Sequence, residues 1–152
     1  IKNIMIDHSK NWVDEFSKKI FHSYHKCPYY EFHIYKIIEI FKKKQKYLID
    51  LNMELIEYIS NHFEIDRKII FSSSLKLSKK KGDKILEILK ILNANEYITG
   101  TGSRNYLDEK IFEKENIKLN FFNKYLDFKN DEKSPKEVLS VLDYILKSNK
   151  SL

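Results

Sequence analysis

Residues 94–107 read Ala94-Asn95-Glu96-Tyr97-Ile98-Thr99-Gly100-Thr101-Gly102-Ser103-Arg104-Asn105-Tyr106-Leu107, and their reading decides the fold of the second half of the chain. Glu96-Tyr97-Ile98 has strand character and stops at Gly100-Thr101-Gly102. Beyond it, Tyr106–Glu115 is helical in pattern, and Ile117–Phe122 returns to an apolar strand. Upstream, Lys68-Ile69-Ile70-Phe71 is a short apolar run with β-branched residues that ends at Ser72-Ser73-Ser74, so it predicts another buried strand. After a polar loop through Lys81-Gly82, a helix opens at Asp83 with Ile85, Leu86, Leu89 and Leu92 inward. Strand, helix, strand, helix and strand with short connections imply parallel pairing. The expected fold class is α/β, with a small Rossmann-like β-α-β-α-β layer.

The first half has a different period. Trp12, Phe16, Ile20 and Tyr24 recur every four residues after Asn11, a favourable N-cap, and Pro28 closes that helix. Tyr30, Ile34, Ile37, Ile38 and Phe41 form a second stripe, and Leu48, Leu51, Leu55, Ile59 and Phe63 a third. Such stripes are core faces. At the far end, Asn123–Ser134 is polar and predicts a loop. Ser134-Pro135 starts a last helix, with Val138, Leu139, Val141, Leu142 and Ile145 on its apolar side. The expected organisation is one domain over 1–152, with a helical part (1–66) and an α/β part (67–152).

The chain has 152 residues, enough for one substantial core, and 42% of them are hydrophobic, which argues against disorder. Three glycines and two prolines among many Ile, Lys and Asn weaken any argument from lysine content alone. The net charge of +6 is spread along the chain and mixed with 22 acidic residues, so nucleic acid is not the favoured partner. A single cysteine, Cys27, excludes an internal disulfide and fits a reducing compartment. No apolar stretch approaches the roughly 20 residues of a membrane span. A cytoplasmic location is expected.

In open parallel sheets, ligands bind beyond the carboxyl ends of the strands. Two loops occupy such ends, Ser72–Leu75 and Gly100–Tyr106. Gly100 and Gly102 allow positive φ and close approach of a ligand to the backbone. The amides around Ser103 would open the following helix and favour an anion. Arg104 adds a fixed charge suited to phosphate or carboxylate, and Ser72, Ser73 and Ser103 offer hydroxyls. A tight turn with a solvated Arg104 is the plainer account, and the pattern alone leaves both open. The dinucleotide fingerprint is not met, because Asn105 stands where a third glycine is needed. His22 and His25 lie one helical turn apart, but no ligand set completes them, so no metal is expected. Asp108 and Glu109 fall in a first helical turn, where the helix dipole accounts for them.

The segment Glu96 to Leu107 resembles the signature of the WbqC-like family: a strand ending in Tyr, aliphatic, small, Gly, then a small-residue loop, a basic residue and Tyr-Leu. Trp12 heading a helix to Tyr24, Pro28-Tyr29-Tyr30, Ser72-Ser73-Ser74-Leu75 and Leu139-Ser140-Val141-Leu142-Asp143 are similar to its other landmarks, in order. The family's usual opening, a strand with a Gln-Pro aromatic loop and an Asp-Asp segment, has no counterpart here. Residues 123–133 also depart from the family pattern. The resemblance therefore implies the C-terminal two-thirds of a longer protein, with unassigned catalytic residues. It further implies a role in bacterial surface polysaccharide biosynthesis of the O-antigen type. The activity implied is a transferase passing an amino acid or acyl group to an amino sugar, or one of nucleotidyl type. A nucleotide sugar or activated acyl donor would be the small-molecule ligand. A non-catalytic interaction module of a glycan-assembly complex is the alternative. Gly100, Gly102, Ser103 and Arg104 are the expected anion binders with Ser72 and Ser73 in support. Tyr106 and Asp143 are left between substrate contact and packing.

Overall fold

The structure is a computed structural model that describes residues 2–122 and 140–148. Among these residues are six α-helices and a parallel sheet of two strands, the helices coming first. The chain divides into two compact units, residues 1–67 with 135–152, and residues 68–134.

The helical unit is assembled from the predicted stripes. Helices α1 (Trp12–Tyr24), α2 (Tyr30–Lys42) and α3 (Leu48–His62) follow the apolar periods closely. Phe41 is the hub of their packing. Trp12 and Phe16 of α1 meet its ring edge-on, with centroids 5.3 and 5.0 Å away. Edge-on pairs of this kind contribute about 0.5–1.5 kcal/mol each beyond their burial. The last described helix, α6 (Val141–Lys147), belongs to this unit and inserts Ile145 and Leu146, both 0% exposed. Ser140 caps α6 by accepting a hydrogen bond from the Asp143 amide at 3.2 Å. The expected helix start at Ser134-Pro135 and the loop 123–134 lie outside the described residues. Asn11 occupies the N-cap position of α1 without capping it, since its amide donates to Asp14 Oδ2 instead.

The α/β unit holds α4 (Lys81–Ile91), β1 (Glu96–Gly100), α5 (Glu109–Lys114) and β2 (Lys118–Phe122). The strands pair in parallel from Glu96↔Lys118 to Gly100↔Phe122. Tyr97, Leu119 and Phe121 turn inward against Leu89, Leu107, Phe112 and Ile117. Three expectations change here. The strand at 68–71 does not form; Ile69, Ile70 and Phe71 are exposed, and no neighbouring strand among the described residues pairs with them. Its β-branched character gives an extended backbone at Phe71 (φ −80°, ψ 124°), but extension without a ladder leaves amides to water. The layer is therefore β-α-β rather than β-α-β-α-β. Helix α4 begins two residues earlier than expected, so Gly82 sits in its first turn, and Leu92, the C-cap residue, is exposed. Helix α5 is shorter than 106–115, because Asp108 caps it by accepting from the Lys110 amide.

Helices α2 to α5 stop in one way. Lys44, Glu64, Asn93 and Asn116 carry φ of 53°, 53°, 51° and 58°, each two residues past its helix. After α3, α4 and α5 the full double-bonded stop forms, as in Ile65 N–H to Ser60 O (2.8 Å) and Glu64 N–H to Asn61 O (3.2 Å). Glycine usually fills this left-handed position, but the chain has only three, and none of them has positive φ.

Candidate functional site

The loop that leaves β1 is a 3₁₀ turn, Thr101–Asn105, placed at the carboxyl end of the parallel pair. Ser103 braces it. Its hydroxyl donates to Gly100 O at 2.7 Å and accepts from the Thr99 hydroxyl at 3.1 Å, and the residue is buried. The Ser103 carbonyl then accepts from the Tyr106 and Leu107 amides at 3.1 and 3.2 Å. Ser103 is thus the internal strut of the turn.

Gly100 and Gly102 do not take the expected positive φ; Gly100 has φ −72° and ψ 155°, which any residue adopts. A Cβ added at either would meet nothing within 4 Å. What the two glycines leave is bare backbone facing open space. Arg104 is exposed and its guanidinium lies over the Phe121 ring, 4.5 Å from the centroid. Stacking on a ring fixes the guanidinium plane while its donors stay available. No carboxylate among the described residues pairs with Arg104. Tyr106 closes the turn with its side chain exposed.

Gly82 brings a second element to this loop. A Cβ on it would stand 2.8 Å from the Tyr106 carbonyl oxygen and 3.8 Å from Leu107 Cδ2. The first turn of α4 therefore lies against the end of the loop, and no side chain caps that helix. The approach to α4 is folded back by Glu87, whose carboxylate accepts from the Ser78 and Lys79 amides at 3.0 Å and from the Ser78 hydroxyl at 2.9 Å. Those backbone N–H groups hold the Glu87 carboxyl below its ordinary range. Lys79 and Lys80, exposed on this segment, are thereby kept close to the start of α4. The far end of the strands carries the opposite kind of chemistry, with Glu96 accepting from Asn120 and paired to Lys118 at 3.6 Å.

The serine turn Ser72–Ser74 belongs to the same unit but follows no strand. Ser72 and Ser73 are exposed, and no hydrogen bond among the described residues joins them to the Gly100–Tyr106 loop. Asp143 lies in the helical unit, 1% exposed, with Lys147 Nζ at 2.9 Å. The Tyr24 hydroxyl also bonds to it, and burial together with this carboxylate raises the Tyr24 phenol. His25 is occupied in stacking on Phe21 at 4.8 Å, with Nδ1 2.9 Å from the Phe21 carbonyl.

The profile of the WbqC-like protein family matches residues 1–151. The chain belongs to the WbqC-like protein family. It is 26% identical over 97 residues to an uncharacterized protein of Mycobacterium tuberculosis (strain ATCC 25618 / H37Rv), a match covering 62% of this chain and 42% of that relative. The chain thus matches less than half the length of that curated relative. No solved structure matches.

In this WbqC-like protein the signature segment 96–107 has a concrete geometry: a strand, a serine-braced 3₁₀ turn, a ring-stacked arginine, and a buried Leu107 that plugs the core. Sequence reasoning missed Gly82, whose partner is 24 positions away. Its one signal was a glycine at the start of a helix in a chain that has three. The Leu-Ser-x-x-Asp landmark resolves into a helix cap, Ser140, and a buried partner of Lys147 and Tyr24.

Proposed function

We propose that the Gly100–Tyr106 loop binds the anionic part of a small-molecule donor, the phosphate of a nucleotide sugar or the phosphate or carboxylate of an activated acyl compound. The observation that carries this reading is Arg104: exposed, unpaired among the described residues, and held over Phe121 beside open glycine backbone. The uncapped start of α4, which lies against Tyr106, and Lys79 and Lys80 just before it add positive potential near the end of the loop. The position beyond the carboxyl ends of two parallel strands is where α/β sheets commonly hold ligands.

Within this reading Ser103 positions the turn and is no nucleophile, since its hydroxyl is buried and engaged on both sides. Ser72 and Ser73 act as outlying hydroxyl contacts, and Tyr106 offers an exposed ring for a base or sugar to pack on. Membership of the WbqC-like family supports a place in bacterial surface polysaccharide biosynthesis, as a transferase of an aminoacyl or acyl group to an amino sugar. Such donors are made in the cytoplasm, and no helix among the described residues is long and apolar enough to cross a membrane.

Thermal unfolding with a panel of nucleotide sugars, nucleoside phosphates and acyl-CoA compounds tests the reading. A ligand at 100 times its Kd stabilises a two-state fold by about 2.7 kcal/mol. One ligand class should raise Tm in the native chain and fail to do so in Arg104→Ala, whose melting without ligand stays unchanged. An equal shift in both proteins removes Arg104 from the site.

A further inference from the structure

Two histidines unrelated to the loop are packed ring to ring between α2 and α3. His33 on α2 is 0% exposed, and its Nδ1 is 2.8 Å from the Tyr58 hydroxyl of α3. His62, one turn beyond Tyr58, presents its ring edge-on to His33 with centroids 4.7 Å apart and planes at 88°. The Nε2 atoms of both rings are shut off from solvent and have no hydrogen-bond partner. A neutral imidazole tolerates such a place, because one nitrogen is satisfied by Tyr58 and the flat ring packs as an apolar body. An imidazolium does not: it would hold a second N–H donor, and a charge, with nothing to receive either.

The ionisable neighbours offer no relief. Facing His33 from α3 are Tyr58 and His62, neither of them an anion. From α6, the buried Asp143 is engaged by Lys147 and Tyr24, while Tyr144 packs on Phe63. On α1, Tyr24 turns to Asp143. On α2 itself, Glu39 is exposed and paired with Lys36 at 3.4 Å, and Glu31 faces solvent. No carboxylate among the described residues bonds to either ring.

We propose that His33 is a proton-sensitive latch, so that α2 and α3 close only around its neutral ring and mild acid loosens the helical unit. Burial, and next the neighbouring His62, lower the His33 imidazole below its ordinary range. A folded value below the unfolded one means that the unfolded chain binds the extra proton. The stabilisation is thus complete above about pH 6.5, and is lost as pH falls below that toward the folded value. Between pH 7.5 and 5.5 the one residue can change the folding equilibrium constant by at most about tenfold.

The test uses the single tryptophan, Trp12, which lies in the same unit. Urea unfolding followed by its fluorescence at pH 7.5 and 5.5 should show the native chain losing more of its folding constant than His33→Asn, by a factor of up to about ten, the variant keeping a polar group toward Tyr58. NMR titration of the native chain gives the same answer without a variant that has to fold. The His33 ring should keep its neutral resonances down to the onset of unfolding. Equal acid losses in the two proteins, or a His33 ring that titrates near its ordinary value within the folded state, would overturn the proposal.

Discussion

The two units of this chain divide packing from exposure. In the helical unit, eight buried side chains from α2, α3 with its C-cap, and α6, Phe41 among them, form one cluster, and even the polar residues His33 and Asp143 are enclosed. In the α/β unit, four buried side chains support a two-stranded sheet, while Ile98, Tyr106 and Phe122 stay open to solvent. A two-stranded sheet has little stability of its own and depends on what packs on it. The unit with the smaller core therefore carries the loop with the free arginine, and the tightly filled unit carries none of the proposed anion binders at residues 100–104.

The largest expected effect strikes the smaller core. Phe112, 3% exposed, stacks near Tyr97 at 6.2 Å, and Phe112→Ala should cost about 3–5 kcal/mol. Far-UV circular dichroism reports both units, whereas Trp12 fluorescence reports only the helical one. If the units are independent in stability, the Phe112→Ala transitions by the two probes separate. Coincident, equally shifted transitions would break the comparison and make the chain one cooperative block.

In the helical unit, Asp143→Asn should cost about 2 kcal/mol, less than a fully buried pair because Lys147 is 40% exposed. Donation to the Asp143 carboxylate raises the Lys147 ammonium above its ordinary range. That contribution is complete below the unfolded lysine value, near pH 10.4, and is lost as pH rises through the folded one. The gap in denaturation midpoint between native and Asp143→Asn chains should narrow from pH 9 to pH 11; a constant gap would sink the pairing.

A smaller effect sharpens the picture of the loop. Gly82→Ala puts a methyl 2.8 Å from the Tyr106 carbonyl, so α4 and the loop must part, at about 1–2 kcal/mol. Ligand stabilisation should fall more than the melting point of the free protein. A stability loss with intact ligand response would separate α4 from the site.

How much of this was written locally in the sequence follows the range of each interaction. The stripes of α1, α2 and α3 repeat every turn, so half-buried Trp12 and buried Ile37 and Leu51 announce their packing by spacing alone. The turn at 100–106 was legible too, because its brace, Ser103 to Gly100, spans three residues. The run Ile69-Ile70-Phe71 misled because composition signals an extended backbone but not whether a neighbour pairs with it. The N-terminal residues were silent for the same reason. Ile6 N–H donates to Lys46 O and Leu48 N–H to Ile4 O, contacts with no periodicity to betray them. The stacking of Arg104 on Phe121, 17 positions later, depends on strand pairing and had no local sign.

The helix stops at Lys44, Glu64, Asn93 and Asn116 have a practical consequence. Each forces a side chain into a backbone region that costs about 1–2 kcal/mol for most residues. Glu64→Gly or Lys44→Gly should thus raise stability by up to about 1 kcal/mol, after the larger freedom of unfolded glycine is subtracted. The gain is the smallest effect expected here and is read as a rise in urea midpoint. Because the four positions end different helices, such changes should add. A chain short of glycine has left slack at its own punctuation, and a sturdier version can be written there without touching the core or the loop.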